Sequence, residues 1–274
     1  MSRSLRPGSG QAYAEVIGDP ISHSKSPLIH NFWLGKLGID AEYRACHVRQ
    51  EELADYFARR REDAAWRGCN ITVPHKVAAL AHVDAVSKAA RAIGAINTVT
   101  GGAFLQGHNT DCTGFLEPLG DRRFDCVTVI GAGGAARAVL AGLASRGVKW
   151  VSLQNRSVAK AEALLAEFGL TGCAVPLGAD VRLAELLVNS SSLGMDGQAE
   201  LPPVEDCVAA GGTVYDIVYA PLETRLLKAA RARGLETIDG LAMLIGQAAA
   251  AFALFFGQPA PREHDAELRA LLTR

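Results

Sequence analysis

The sequence has no excess of either charge: 28 lysines and arginines stand against 29 aspartates and glutamates, a formal net charge of -1. Nucleic acids and anionic membranes are usually met by a basic surplus, so neither is expected as a partner. The most apolar stretch, LAMLIGQAAAAFALFF, is broken at Gly246 and Gln247. It falls short of the roughly 18 or more apolar residues a membrane span needs and reads as a buried helix. The six cysteines, Cys46, Cys69, Cys112, Cys126, Cys173 and Cys207, form no C-x-x-C pair and have no histidine at ligand spacing. That pattern argues against a zinc site or a disulfide framework and for a reducing cytoplasm. The opening MSRSLRPGSGQ lacks the apolar core of a signal peptide and reads as a frayed tail.

What is present is an ordinary globular composition, 49% hydrophobic and 21% charged over 274 residues. That length exceeds the common single domain of about 100–150 residues, so two domains are expected. The first part alternates: AEVIG then a helix near Leu28 to Leu37, AEYRACHV then a helix from about Glu51, CNITV then a helix after Lys76. This order predicts an α/β domain with mixed or parallel pairing. Near residue 105 the pattern turns loop-like, with GHNTDCTGF rich in turn residues. The apolar strand CVTVI follows, then a glycine loop and an Ala/Leu helix. Beyond them come VKWVSLQNRS, a helix from Val158 to about Phe168, ELLVNSSSLGM, GGTVYDIVYAP, a helix from about Glu223 to Arg233, and LETIDG. Repeated βα units predict a doubly wound sheet that takes its ligand at the carboxyl ends of the strands.

The glycine loop Gly131-x-Gly133-x-x-Ala136 matches the dinucleotide fingerprint. Gly131 allows the tight turn, Gly133 lets the backbone approach a pyrophosphate, and Ala136 lets helix and strand pack closely. A glycine-rich turn used only for packing is the alternative. About 20 residues further on, where an NAD site carries Asp or Glu, the chain has Asn155, Arg156 and Ser157, with Lys160 one turn later. A guanidinium with amide and hydroxyl neighbours suits a 2′-phosphate, so NADP is favoured. Arg156 capping a turn is the other reading.

In GCNITVPHK, Pro74 has no N–H for the ladder, so the strand must leave the sheet there and carry Lys76 toward its edge. Lys76 either opens a solvated helix or faces a ligand. His75 is its rival as an acid or base, since imidazole titrates near neutrality.

The stretches GDPISHSKSPLIHNFW, CNITVPHK, GAINTV, NTD, GAGGAARA, NRS, NSSSLGM, DIVYAP and DGLAMLIGQAA, from Gly18 to about Ala249, together resemble the shikimate dehydrogenase family. The resemblance implies two α/β domains: a substrate-binding domain with a mixed sheet, residues 1–111 plus 244–274, and a Rossmann-type NADP-binding domain, residues 112–243, with the active site in a cleft. It implies reversible, NADP-dependent reduction of 3-dehydroshikimate to shikimate in aromatic biosynthesis, with Lys76 and Asp111 as the catalytic pair. A lysine ammonium can both stabilise a developing alkoxide and protonate it.

By the same resemblance Ser24 and Ser26 meet the substrate carboxylate, although serines before a helix also serve as caps. Thr72, Asn97 and Asp111 meet the ring hydroxyls, Tyr219 reaches the substrate from the cofactor domain, and Gln247 explains the polar residue in the apolar helix. Cofactor contacts are implied at Gly131, Ala132, Gly133, Gly134, Ala135, Asn155, Arg156, Ser157, Lys160, Ile217 and Gly240. His23 and His30 are expected to be structural. The chain departs from the family at His108, where an acidic residue is usual, at Cys112, where glycine is usual, and at Ala220, where asparagine is common. A monomer or homodimer is expected, without a metal. Alternatives are a quinate or aminoshikimate paralogue, possibly using NAD, and a non-catalytic ligand sensor, which would be expected to lose Lys76 or Asp111.

Overall fold

The computed structural model describes residues 10–274; residues 1–9, on which most of the expected tail falls, lie outside the described residues. The chain divides into two compact units, one built from residues up to Thr110 with Ala248–Arg274, the other from Asp111–Gln247.

The first unit contains β1 (Ala12–Gly18), α1 (Ser26–Leu37), β2 (Ala41–His47), α2 (Leu53–Glu62), β3 (Trp66–Ile71), β4 (Ala85–Val86), α3 (Lys88–Ile93), β5 (Thr98–Thr100) and β6 (Gln106–His108). They form one mixed sheet in the order β2-β1-β3-β5-β6-β4, in which β1 runs parallel to β2 and β3 while β5 is antiparallel to both β3 and β6. The helix expected after Lys76 is a 3₁₀ turn over Ala78–His82. It ends where Val83 goes extended ahead of β4.

β1 is buried along nearly its whole length, as a central strand covered on both faces must be. It nevertheless carries Glu15, 1% exposed, whose carboxylate accepts from Arg60 at 2.7 Å, Arg44 at 3.1 Å and the Tyr56 hydroxyl at 2.9 Å. A buried carboxylate is tolerated only with such pairing. Edge strand β2 has a second device: Asn31 of α1 donates to the Tyr43 carbonyl at 2.7 Å and accepts its N–H at 2.8 Å. One side-chain amide thus occupies a site where another strand could add. His30 lies beneath, stacked on the Tyr43 ring at 4.0 Å, with neither ring nitrogen hydrogen-bonded.

The second unit holds α4 (Asp111–Leu116), β7 (Cys126–Ile130), α5 (Gly134–Ser145), β8 (Trp150–Gln154), α6 (Val158–Glu167), β9 (Gly172–Val175), β10 (Ala184–Asn189), β11 (Val208–Asp216), α7 (Arg225–Ala232) and β12 (Glu236–Ile238). Its sheet order, β12-β11-β10-β7-β8-β9, is wholly parallel and is the doubly wound order that reverses between β7 and β10. The apolar strands β7 and β10 form its centre, with Val127, Val129, Leu186 and Val188 all buried. The segment that reads as loop, GHNTDCTGF, holds the end of β6 and most of α4; α4 is only six residues long, too short for a helical period to show among turn residues. α7 begins at Arg225, capped by the Thr224 hydroxyl, two residues later than the sequence suggests. The unit boundary falls inside α8 (Gly240–Phe256), after Gln247, and α9 (Asp265–Leu272) ends the chain in the first unit.

His30 is fully buried, and burial lowers its pKa from 6.5 to about 3. The unfolded chain therefore takes up this proton near pH 6.5 and the folded one only near pH 3. The stability this group contributes is complete above 6.5 and is lost as pH falls toward 3. The loss is about 1.4 kcal/mol per pH unit within that window. Urea unfolding of His30→Phe should therefore lose about 2 kcal/mol less than wild type between pH 7 and pH 5; equal losses would show that His30 does not set this slope.

Candidate functional site

In the first unit, β1 and β3 are parallel, so their carboxyl ends share one edge of the sheet, and the amino end of antiparallel β5 meets them there. Ser24 and Ser26 follow β1, Thr72 and Lys76 follow β3, and Asn97 precedes β5. The topology therefore brings five residues from three separated segments to one edge.

The bend after β3 is fixed by backbone bonds. Thr72 N–H donates to the Ile17 carbonyl at 2.9 Å, Asp19 N–H to Val73 at 3.1 Å, and Ile96 N–H to Lys76 at 2.8 Å. Val73 and Val77 are exposed, as a chain leaving the sheet predicts, but His75 turns inward. It is completely buried, and its Nε2–H donates to the Val48 carbonyl at 2.6 Å. That contact makes His75 a strap between the bend and the end of β2, while Lys76 beside it is half-buried.

Ser24 accepts the Ser26 N–H at 3.3 Å, a local turn at the start of α1. Ser26 is 6% exposed, and no side chain caps the helix. Lys25 reaches the Leu272 carbonyl and ties this segment to α9. Asn97, 2% exposed, accepts the Ile71 N–H on its carbonyl at 2.7 Å, which sets it beside the end of β3. His30 is a core residue, whereas His23 is exposed. His108 is half-buried on β6, its pKa lowered by burial.

In the second unit, the loop after β7 lies at the switch point of the sheet. Gly131 has φ +100°, and a Cβ on it would press on Ser191 at 3.1 Å, so glycine is required there twice over. Ser190 reaches the Ile130 carbonyl through both its N–H, at 2.9 Å, and its hydroxyl, at 2.6 Å. A Cβ on Gly133 would meet nothing within 4 Å. Gly133 is also the N-cap of α5, with no side-chain cap and no acidic residue in the first turn. The amide groups at Gly134 and Ala135 therefore open the helix uncapped by any side chain, and Ala132 closes the loop from within, 6% exposed. An open helix start of this kind, with the partial positive charge of its free N–H groups, fits a pyrophosphate.

Beyond β8, Gln154 is spent on the loop that follows β9, accepting from Gly178 at 2.8 Å and donating to Ala179 at 3.4 Å. Asn155 donates to the Ser157 carbonyl at 3.0 Å and Ser157 caps α6 through Lys160 N–H, so both have local tasks. Arg156 and Lys160 are exposed. No carboxylate stands among these four residues, and the set fits a 2′-phosphate.

Two carboxyl-end groups escaped the reading of the sequence. Asn189, ending β10, donates to Asp216 at 2.9 Å and to Leu193 at 3.1 Å, and accepts from the Ser191 hydroxyl at 2.7 Å. Asp216, ending β11, also accepts from Thr224 at 2.7 Å and Val218 N–H at 3.1 Å. Burial raises its pKa against the pull of those three donors. This brace fixes the backbone around Ile217, whose N–H donates to the Asn189 carbonyl at 3.1 Å. A polar residue closing an otherwise apolar strand was the available signal. Tyr219 is half-buried with its pKa raised by burial, and Ala220 accepts the Asp196 N–H at 2.8 Å.

Asp111 opens α4, 4% exposed, and Cys112 after it is half-buried, its thiol pKa raised first by burial and then by the Asp111 charge. A Cβ on Gly114 would meet Met243 O and Gln247 N at 2.6 Å, so α4 packs on α8 through bare backbone. Gln247, 9% exposed, satisfies part of its amide on the Leu244 carbonyl at 3.0 Å. Gly240 has a packing reason of its own, since a Cβ there would lie far inside contact of the Ile217 and Val218 carbonyl oxygens. Gly240→Ala should therefore destabilise this unit by about 1–3 kcal/mol even without a ligand. Thermal unfolding of the variant checks this, and an unchanged transition would show that the two segments can part freely.

Comparison with known proteins agrees with this geometry. The model of the shikimate dehydrogenase substrate binding domain matches residues 16–99, and that of the shikimate 5′-dehydrogenase C-terminal domain matches residues 240–267. A shikimate dehydrogenase (NADP(+)) of Sphingopyxis alaskensis is 54% identical over 95% of this chain and 96% of its own. Among solved structures, shikimate 5-dehydrogenase from Thermus thermophilus in complex with NADP(H) and shikimate is 39% identical, with TM-score 0.86 over 95% of this chain and 99% of that one. Quinate dehydrogenase from Corynebacterium glutamicum in complex with NAD is 30% identical, with TM-score 0.83 over 95% of this chain and 99% of that one.

Proposed function

The chain belongs to the shikimate dehydrogenase family, and from that premise we propose that it interconverts 3-dehydroshikimate and shikimate with NADP, Lys76 and Asp111 being the catalytic pair. The reading is supported above all by the gathering of Ser24, Ser26, Thr72, Lys76 and Asn97 at one sheet edge from three separated segments. In the proposed division of labour, residues 1–111 with 244–274 bind the substrate and residues 112–243 bind NADP.

When bound, the reduced cofactor supplies the hydride. The Lys76 ammonium stabilises the alkoxide that forms and delivers its proton. Its backbone carbonyl is held by Ile96, and its neighbour His75 is locked onto Val48, so the side chain starts from a fixed point. Asp111 orients the lysine and a ring hydroxyl. Ser24 and Ser26 take the substrate carboxylate, Thr72, Asn97, Tyr219 and Gln247 the rest of the ring. Gly131, Ala132, Gly133, Gly134 and Ala135 would hold the pyrophosphate and Asn155, Arg156, Ser157 and Lys160 the 2′-phosphate, with Ile217 and Gly240 as further contacts to the cofactor.

The expected setting is the cytoplasm, and the expected state a monomer or homodimer. All six cysteines are free thiols, and no helix among the described residues is long and apolar enough to cross a membrane. Likeness to a quinate dehydrogenase bound to NAD makes quinate the substrate to test against. Purified protein assayed with shikimate and quinate, each against NADP and NAD, should turn over shikimate with NADP best; a preference for quinate with NAD would replace this reading by the paralogous one.

Lys76→Ala should lower kcat by about 10²–10⁴-fold, the usual contribution of a general acid, while shikimate still binds. Retention of near-normal turnover would remove Lys76 from the chemistry. Arg156→Ala should weaken NADP by about 10- to 150-fold and leave NAD nearly unchanged, because only NADP carries the 2′-phosphate that a charge-assisted bond can hold. The NADP affinity of wild type should also fall more steeply with salt than its NAD affinity. Equal losses for both cofactors in steady-state kinetics would mean that Arg156 supports the loop.

A further inference from the structure

A line of buried polar groups runs through the first unit toward Asn97, and the bonds to backbone groups assign the orientation of both side-chain amides in it. The Asn97 carbonyl can only accept, so the Asn70 amide atom 3.3 Å from it is Nδ2. The same nitrogen donates to the Thr98 hydroxyl at 3.0 Å, which leaves Asn70 Oδ1 to accept from the Tyr43 O–H at 2.6 Å. At the other end, Thr110 N–H can only donate, so the Asn97 amide atom 2.7 Å away is Oδ1, and Nδ2 faces the Thr110 hydroxyl at 2.9 Å. Thr98, already accepting from Asn70, sends its own proton to Asn97 Oδ1 at 3.0 Å. Tyr43, Asn70, Thr98 and Asn97 are each no more than 6% exposed. Away from water such bonds strengthen one another, and a reversed or missing member is costly.

We infer that Tyr43, Asn70 and Thr98 are positioning residues that load the Asn97 carboxamide oxygen with donors, so that Asn97 meets the substrate ring as an N–H donor. This rests on the proposed role of Asn97 toward a ring hydroxyl. A hydroxyl whose oxygen accepts from Asn97 keeps its own proton for a neighbouring carboxylate or amine, which suits an oxygen that must gain or lose a proton during turnover. Were the amide reversed, its oxygen would compete for that same proton. Tyr43 is itself held at three points, by Asn31 on its backbone, by His30 on its ring face and by Asn70 on its hydroxyl. The helix that follows Ser24 thereby fixes the residue that starts the line.

The test is a set of variants compared with wild type in steady-state kinetics. Thr98→Val keeps the shape and deletes the hydroxyl; it should raise the shikimate KM by about 3- to 10-fold while the NADP KM stays within about twofold. Thr98→Ser keeps the hydroxyl and should restore the wild-type KM. Tyr43→Phe keeps the ring on His30 and loses the O–H, and should move the shikimate KM in the same direction. The inference is overturned if Thr98→Val and Tyr43→Phe both match wild type. It is also overturned if Thr98→Ser is as impaired as Thr98→Val, or if both KM values rise together, since a general loss of packing would do that. A wild-type protein that does not turn over shikimate with NADP refutes the proposed function and this inference with it; active wild type with unmoved variants refutes the inference alone.

Discussion

The first unit depends on one close approach. Gly18 ends β1, and the methyl of Thr72 and the carbonyl of Val73 occupy the space where its side chain would stand. Only because Gly18 has no side chain can the chain fold across the end of β1 on leaving β3, exchanging the Thr72–Ile17 and Asp19–Val73 hydrogen bonds. From that crossing follow the inward turn of His75, its strap to Val48, and the fixed backbone of Lys76. Lys76 is therefore carried by a bend held at both ends, although the bend belongs to no regular element.

The second unit solves a similar problem with a different device. Its parallel sheet sends two loops, after β7 and after β10, to the point where the strand order reverses, and they touch through Gly131 and Ser190–Ser191. Parallel strands leave carbonyls and N–H groups at their carboxyl ends without ladder partners. Asn189 and Asp216 supply these partners, binding the loops back onto the strands that produced them. The glycine loop can stay bare because its neighbours are so firmly tied.

Much of this was legible in the sequence, for identifiable reasons. β1, β7, β10 and β11 are apolar runs ended by turn residues, and α5 and α6 follow them with helical composition and clear starts. β9 and β4 were missed because strands of four and two residues carry no readable alternation, and α4 because Asn109, Thr110 and Asp111 look like a turn. Arg156, Lys76 and the glycines stood out because their chemistry is unusual at those places in the pattern. Tyr43, Asn70 and Thr98 did not, since a tyrosine, an asparagine and a threonine in strands have many ordinary uses.

The sequence by itself determined the two α/β sheets, the doubly wound character of the second, the glycine loop after β7 and the family, because each is written in short motifs of residues close together along the chain. Tertiary structure alone decided which way His75 faces, that Ser157 and Asn155 also brace their own loop, that Gly240 is needed for packing, and that Asn70 and Thr98 converge on Asn97. The physical reason differs with the contact: the Asn155 and Ser157 bonds span two and three positions and depend on the turn their loop adopts, whereas the others need segments distant along the chain to be packed together. A hydrogen bond between strands 27 or 28 positions apart exists only once the sheet register is set, and register is a property of the packed sheet and not of any one segment.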